Sequence, residues 1–219
     1  MALILCLETA TTNCSVALAK DGALLALKED NSAKYSHAEK LHVFIEELLE
    51  ENKLNISELD AIAVSKGPGS YTGLRIGVST AKGLCFSLAL PLIAIPTLTS
   101  LASQVKIETG KIVAMLDARR MEVYSAIYDL NLNQVRETKA QILDENAFRE
   151  YLDKEKLVFI GSGVEKFKGI CEHPNAVFIE GRLPSAREMC ELAESRYKKS
   201  DTEDVAYFEP YYLKDFIAG

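Results

Sequence analysis

The segment with the clearest chemical potential is a glycine-rich turn, Gly67 to Gly73, which reads GPGSYTG and lies between a predicted strand and a predicted helix. Free backbone N–H groups and the helix dipole at such a turn can bind an anion. The order of a Walker phosphate loop, G-x-x-x-x-G-K-[ST], is absent. The pattern therefore favours a structural use of the glycines, for positive φ and close helix packing, with an anion site as the alternative.

A second candidate is the turn from Glu8 to Asn13, ETATTN, which follows the first predicted strand. Its hydroxyls and exposed amides could line a phosphate site, although Thr and Asn are also common in turns for local hydrogen bonding alone. Together the two turns define the candidate cofactor-binding residues, which are Glu8, Thr9, Gly67, Gly69 and Thr72.

A third group of polar residues lies at a predicted hairpin and consists of Asp117, Arg119, Arg120 and Glu122. It could orient an acid and a guanidinium to recognise a carboxylate or a phosphate. A turn whose charges neutralise one another in solvent is the commoner arrangement. A role beyond closing the hairpin stays open at this point.

Metal and nucleophile chemistry are not indicated. His37 and His42 are five residues apart, so a helix would not place both imidazoles on one face, and His173 lies in a predicted loop. We expect these scattered histidines at the surface or at helix caps. The five cysteines form no C-x-x-C pair and lie mostly among apolar neighbours, which predicts reduced packing residues. We predict no catalytic residue and no metal site.

These turns need a scaffold of alternating strands and helices. A continuous apolar run is typical of a buried central strand, and Asp21-Gly22 is a hairpin signal. Helical spacing predicts two amphipathic helices, the first capped by Ser36 in a capping box with Glu39, the second by Ser70 or Thr72. The predicted elements are strands at 3–7, 15–19, 23–27, 61–65 and 91–95, and helices over 36–51 and from about 74 to before 91.

The second half of the chain is expected to form a smaller lobe. It is predicted to contain strands at 112–117, 122–128 and 157–160 and helices around 146–152 and 185–197. No internal repeat is visible in the sequence. The domain prediction is an N-terminal lobe of residues 1–105 and a smaller C-terminal lobe of residues 106–219, with the final helix packing back on the first lobe as the alternative.

Composition narrows the functional classes. The chain has 219 residues, 48% of them hydrophobic, with a formal net charge of -7. Direct binding of a phosphate backbone is not expected from an acidic chain, because such affinity comes mainly from Lys and Arg. Pro91 and Pro96 interrupt the uncharged stretch between Lys82 and Lys106, so we predict no membrane span. The apolar start lacks a basic region, so we predict a cytoplasmic protein without a secretory signal.

Three segments, read together, resemble the TsaB (YeaZ) family. They are ILCLETA at 4–10, KGPGSYTGLRIG at 66–77 and DARRMEVY at 117–124, and the ending PYYL at 210–213 also fits. The resemblance spans nearly the whole chain. It implies an α/β fold of the actin-like ATPase superfamily, with ribonuclease H-like lobes, a mixed five-stranded sheet with helices, and a reduced second lobe.

The resemblance also implies a function. The family is paralogous to TsaD, which transfers threonylcarbamoyl to N6 of adenosine 37 in tRNAs reading codons that start with A. Family members are non-catalytic subunits that support TsaD by heterodimerising with it, alongside the ATPase TsaE, and reach tRNA only indirectly. Thr97 and Leu101 would stand where TsaD has two metal-binding histidines, so no such metal centre is expected. No cofactor of its own is implied, with ATP or ADP at the interface with TsaD as a further option.

The partner surface is expected on the two helices at 36–51 and 74–89, which would pair with TsaD or, in the chain alone, with a second copy. Packing of the same stripe on the chain's own sheet is the alternative. A small actin-like ATPase or peptidase with its own active site, and a direct tRNA binder using Arg196, Lys198 and Lys199, are competing functions. The candidate interface residues are Leu41, Ile45, Gly73, Gly77, Val78 and Ala81.

Overall fold

The computed structural model describes residues 2–32 and 36–214. Of these, residues up to 100 and residues 184–212 form one compact unit, and residues 101–183 with 213–214 form a second. The strands are β1 Leu3–Glu8, β2 Cys14–Lys20, β3 Ala23–Asp30, β4 Ala61–Gly67, β5 Leu92–Pro96, β6 Lys111–Asp117, β7 Glu122–Tyr128, β8 Gln134–Ile142, β9 Leu157–Ile160 and β10 Ala176–Ile179. The α-helices are α1 His37–Glu51, α2 Tyr71–Leu88, α3 Thr97–Ala102, α4 Arg149–Leu152, α5 Val164–Lys168 and α6 Ala186–Lys198.

The first unit is built on a mixed sheet of order β3-β2-β1-β4-β5. β1 pairs antiparallel with β2 and parallel with β4, so β1 is central and buried on both faces. Helices α1 and α2 cover one face, where Leu41, Ile45 and Val78 join the core. Helix α6 covers the other face through Met189 and Ala193. The carboxyl ends of β1, β4 and β5 therefore meet at one edge of a three-layer unit.

The second unit has a sheet of order β10-β9-β6-β7-β8, which repeats the topology of the first. A three-stranded antiparallel meander is again followed by two parallel strands. The sequence showed no internal repeat, so this duplication is visible only in the backbone. Its helices α4 and α5 have four and five residues, so the reduction of this lobe affects its helices rather than its sheet. The expected α/β architecture, with mixed five-stranded sheets and helices, is confirmed.

The unit boundaries differ from the predicted lobes. Residues 184–212, which the sequence assigned to the C-terminal lobe, belong to the first unit. The Ala186 N–H donates to Ser15 Oγ at 2.8 Å, and Cys190 lies in the core beside β1. This arrangement is the alternative in which the final helix packs back on the first lobe.

The helix caps agree in part with the sequence. Ser70 caps α2, because its side chain accepts a hydrogen bond from the Gly73 N–H at 3.3 Å. The predicted Ser36 capping box is wrong: Ser36 Oγ donates instead to Asp30 Oδ2 at 2.7 Å. In the described ranges, no helix combines the length and the apolar character needed to cross a bilayer.

Candidate functional site

The two turns singled out by the sequence lie side by side in the first unit and bond to each other. The Ser70 N–H donates to Ala10 O at 2.7 Å, and Thr9 Oγ1 donates to Gly73 O at 2.8 Å. The Gly73 N–H is occupied by the Ser70 hydroxyl. The N–H groups of Ser70 and Gly73, which could have bound a phosphate, are therefore used inside the chain.

The glycine spacing serves this internal contact. A Cβ would lie 2.4 Å from Ala10 O if placed on Gly69, and 2.1 Å from Thr9 O if placed on Gly73. At Gly77 it would lie 2.3 Å from Thr9 Oγ1. Side chains do not fit at such distances, so the three glycines let the turn after β4 and helix α2 approach the turn after β1.

Gly67 has a separate role at the end of β4. Its φ is +111°, and a Cβ there would lie 2.6 Å from Tyr211 O. The Tyr211 N–H donates to Lys66 O at 2.7 Å, and the Tyr212 ring stacks at a tilt on Tyr71 with centroids 4.9 Å apart. Residues 203–212, here called the C-terminal strap, therefore close over the end of this strand.

Glu8 is fully buried at the end of β1 and accepts a hydrogen bond from the Ala10 N–H at 2.6 Å. Its other oxygen, Oε2, has no well-formed hydrogen bond from the described residues. Burial raises the pKa of Glu8 to about 7, against the effect of the Ala10 amide and the Ser65 hydroxyl, which favour the charged form. Glu8 can therefore hold a proton near neutral pH.

A hydroxyl pair lies next to this carboxyl. Ser65 Oγ and Thr97 Oγ1 share a hydrogen bond of 2.7 Å, and Thr97 Oγ1 also accepts from the Gly67 N–H at 3.1 Å. Thr97 and Leu101, the residues expected at the metal-ligand positions of TsaD, are both fully buried in α3. Among the described residues, no group of three or more His, Cys, Asp or Glu side chains could hold a metal ion.

His37 was expected at the surface or at a cap, and this prediction is wrong. The side chain is 2% exposed, and its Nε2–H donates to Thr11 O at 2.7 Å. Burial lowers the pKa of this imidazole. His37 therefore braces the same turn that Thr9 joins to α2, a role that a single histidine in a sequence does not reveal.

The cofactor candidates thus separate by position. Glu8, Thr9 and Gly67 are buried, Gly69 is half-buried, and Thr72 faces solvent on α2. The structure brings Thr9 and Gly69 to the same contact between the two turns. The nucleotide site stays a prediction.

The six interface candidates are corrected by their burial. Leu41 and Ala81 are fully buried, Val78 is 3% exposed, and Ile45, Gly73 and Gly77 are likewise buried. The four larger residues pack in the core against the chain's own sheet, and the two glycines contact Thr9 in the turn after β1. Internal packing is the alternative left open by the sequence, so these six residues cannot form a surface of the folded chain.

The opposite face of the same helices is exposed. Phe86 on α2 is 85% exposed and Val43 on α1 is 46% exposed. Gly83, on the same side of α2 as Phe86, has nothing within 4 Å of an added Cβ. The exposed stripe of α2, which contains Arg75, Ser79, Gly83 and Phe86, is called the outer α2 face below.

The hairpin charges of the second unit pair with lysines rather than with one another. Asp117 Oδ2 lies 2.9 Å from Lys166 Nζ, and Glu122 forms an ion pair with Lys214. Arg119 and Arg120 are exposed. The sequence suggested that these acids pair with the arginines of the same turn, either to bind a ligand or to neutralise one another. Both hypotheses named the wrong partners, because the acids pair with lysines from elsewhere in the chain.

Cys171 and His173, which are two residues apart, do not form a cysteine peptidase arrangement. Cys171 precedes His173, and His173 Nε2 lies 3.2 Å from Asp153 Oδ1. The other ring nitrogen, Nδ1, accepts a hydrogen bond from the Asn175 N–H at 3.2 Å. With both nitrogens used, this imidazole cannot take a proton from a thiol in the described arrangement.

Comparisons with known proteins agree with the sequence resemblance. The family model TsaD, described as tRNA N6-adenosine threonylcarbamoyltransferase, matches residues 31–219. The chain is 31% identical over 224 residues to the tRNA threonylcarbamoyladenosine biosynthesis protein TsaB of Escherichia coli (strain K12), covering 98% of this chain and 96% of that one.

Two solved structures are similar over the full length. One is YeaZ from Pseudomonas aeruginosa, with a TM-score of 0.83 and 29% identity, covering 97% of this chain and 100% of that chain. The other is an uncharacterised protein from Pseudomonas aeruginosa with similarity to peptidase YEAZ, with a TM-score of 0.85, 27% identity and coverage of 98% and 100%.

Proposed function

The chain belongs to the TsaB (YeaZ) family, and from that premise we propose that it is a non-catalytic subunit required for threonylcarbamoyl modification of N6 of adenosine 37 in tRNAs reading codons that start with A. It acts by heterodimerising with TsaD and supporting TsaD's catalysis, in a system that includes the ATPase TsaE. Its similarity to TsaB of Escherichia coli, a tRNA threonylcarbamoyladenosine biosynthesis protein by name, supports this role. The five free cysteines fit a cytoplasmic location.

The non-catalytic part of the proposal rests on the enclosed turns. Thr9 and Gly73 are joined by a hydrogen bond, and Glu8 is fully buried, so the Thr9 hydroxyl and the Glu8 carboxyl do not face a substrate. These two candidates for chemistry are therefore used in holding the first unit together.

The pairing surface is the outer α2 face with the exposed side of α1. The observation that carries it is Phe86, which is 85% exposed beside the open position at Gly83. A large apolar side chain next to a small-residue gap allows a partner helix to approach closely while Phe86 fills a pocket on the partner. In the chain alone, the same face pairs with a second copy.

The first experiment is threonylcarbamoyl transfer to tRNA by purified TsaD, TsaE and the threonylcarbamoyl adenylate supply, with and without this chain. Transfer that requires both this chain and TsaD, with none from the chain alone, is the expected result. Transfer, ATP hydrolysis or peptide hydrolysis by the chain alone would instead support an enzyme with its own active site.

The surface is tested by Gly83→Trp, which adds bulk where the chain itself has space. We expect loss of the heterodimer in light scattering and loss of transfer, with the melting temperature maintained. The matched control is Gly169→Trp in the second unit, where an added Cβ meets nothing closer than 3.6 Å. A Gly83→Trp variant that still pairs with TsaD would refute this surface.

The proposal gives the chain no cofactor of its own, and ATP or ADP binds only at the interface with TsaD. Equilibrium dialysis with labelled ADP should then show retention by the mixture of both proteins and none by either alone. Retention of ADP by this chain alone would contradict the proposal that nucleotide binds only at the interface with TsaD.

A further inference from the structure

A cavity of about 580 Å³ opens in the second unit, lined by α4 and by the segment that follows α5. This volume lies within the range of about 300–1,000 Å³ that is typical of small-molecule sites. The lining combines the charged side chains of Glu145, Arg149 and Glu172 with Leu152, which is buried, and Ile170, which is half-buried. A ligand that carries charged groups on an aliphatic stem matches such a lining.

Asp153 positions the guanidinium of Arg149 at this cavity. One oxygen of Asp153, Oδ1, lies 3.7 Å from Arg149 Nε and 3.2 Å from His173 Nε2, so it contacts both side chains. The His173 ring is fixed from its other side, because its Nδ1 accepts the Asn175 N–H at 3.2 Å. Because Asp153 approaches Nε, the two terminal nitrogens of the Arg149 guanidinium remain available as a fork for a carboxylate.

The two carboxylates at the cavity are not neutralised by cations of the chain. Glu145 and Glu172 are exposed, and within residues 2–32 and 36–214 neither side chain forms an ion pair. Two carboxylates against the one guanidinium of Arg149 give the lining a net negative charge. A ligand with one carboxylate and two amino groups would meet each of these three side chains with the opposite charge.

We propose that this cavity binds a basic α-amino acid such as lysine, either free or at the C-terminus of a short peptide. The ligand's carboxylate binds the fork of Arg149, its two ammonium groups bind Glu145 and Glu172, and its methylene stem packs on Leu152 and Ile170. A neutral or acidic amino acid has too few ammonium groups and leaves a carboxylate of the cavity unpaired, so the site selects by charge. The site lies in the second unit and does not depend on the proposed pairing with TsaD.

Cys171 supplies a reporter of occupancy. It lines the cavity and is half-buried, whereas the other four cysteines are buried, so iodoacetamide should alkylate Cys171 first. Mass spectrometry of the full-length chain and its peptides measures the alkylation rate. We expect L-lysine to halve this rate at a concentration on the order of 1 mM. L-Glutamate, which has one ammonium group, and lysinamide, which lacks the carboxylate, should protect Cys171 far less at the same concentration.

Two substitutions test the contacts. Arg149→Gln and Glu172→Gln should each weaken the protection by lysine by about threefold or more, as expected for a partly exposed ion pair. The matched controls, Arg187→Gln and Glu191→Gln, make the same charge changes at exposed positions of α6 and should be protected as the wild type is. The melting temperature of each variant checks that it folds, and Glu172→Gln alone serves if Arg149→Gln does not.

A peptide titration identifies the source of the ligand. Tighter protection by the peptide Gly-Gly-Lys supports a peptide C-terminus, and tighter protection by lysine supports a free amino acid. The proposal is overturned if neither compound slows alkylation of Cys171, if glutamate protects as well as lysine does, or if the cavity variants are protected as the wild type is. Equal loss of protection in the α6 controls would likewise overturn it.

Discussion

Thr9 Oγ1 and the carbonyl oxygen of Gly73 are joined by a buried hydrogen bond of 2.8 Å, which fastens the turn after β1 to the first turns of α2. The bond depends on close approach of the two backbones. An added Cβ at Gly77, one helical turn further on, would lie 2.3 Å from the same Thr9 Oγ1. The Thr9 side chain thus packs against Gly73 and Gly77, one turn apart on α2.

Gly77→Ala should destabilise the chain by about 2 kcal/mol, because the added methyl group overlaps Thr9 Oγ1 and forces the helix or the turn to move. Urea unfolding followed by circular dichroism measures the difference. The control is Gly83→Ala, where an added Cβ has open space, so the gain in helix propensity should stabilise the chain by up to about 1 kcal/mol. Equal effects at the two glycines would contradict the contact.

Glu8→Gln should alter how stability depends on pH. Burial raises the pKa of Glu8 from 4.5 to about 7, so the folded state binds a proton more tightly than the unfolded state. The stability that protonated Glu8 contributes is fully present below pH 4.5 and is lost as pH rises through 7. Gln keeps the acceptor for the Ala10 N–H and cannot ionise. The free energy of unfolding of the variant, relative to that of the wild type, should therefore rise by on the order of 3 kcal/mol from pH 5 to pH 8.

The measurement is the free energy of unfolding in urea at pH 5 and at pH 8. Glu46→Gln, at an exposed position of α1, serves as the matched control and should follow the wild type at both values. If Glu8→Gln followed the wild type as well, the buried carboxyl would not be the source of the pH dependence.

His37 should give the opposite slope. Burial lowers the pKa of its imidazole below 6.5, so the unfolded state takes up a proton that the folded state resists. The stability from this group is present above pH 6.5 and is lost as pH falls through the folded pKa. In a Glu8→Gln background, where the competing slope is absent, stability should fall from pH 7 to pH 5, and His37→Gln should flatten that fall. His42→Gln, exposed on the same helix, should leave it unchanged.

Most of the strands and longer helices could be predicted from the sequence, because each shows the apolar pattern of its type and is followed by turn-forming residues. β7 and β9 agree with the predicted ranges to the residue. β8 and β10 were missed for a physical reason: every residue of β8 is exposed or half-buried, and β10 is half-buried throughout, so neither has the apolar alternation of a core strand. These two segments are strands because they pair through backbone hydrogen bonds with β7 and β9.

The site could be predicted only as a set of segments. The GPGSYTG and ETATTN turns were identified, but that they bond to each other follows from β1 and β4 being neighbours in the sheet. The small-residue stripe of α2 likewise indicates either a partner surface or internal packing. At Gly73 and Gly77 the use is internal packing, because both glycines contact Thr9 in the turn after β1. That turn is distant in the sequence, so the helix sequence alone does not contain this information.

Lys82 should control the C-terminal strap. Its Nζ donates to Phe208 O at 2.8 Å and to Ala206 O at 3.2 Å, while Tyr207 between them is 84% exposed. Lys82→Met keeps the apolar stem but loses both charge-assisted donors, so the strap should open more often. We expect chymotrypsin to cut after Tyr207 about tenfold faster, since a loss of 1.4 kcal/mol in the free energy of closing raises the open population tenfold.

The control is Lys106→Met, at an exposed position of the second unit, which should leave the cleavage rate unchanged. Mass spectrometry of the fragments measures both rates, and equal rates in the two variants would show that Lys82 does not hold the strap closed.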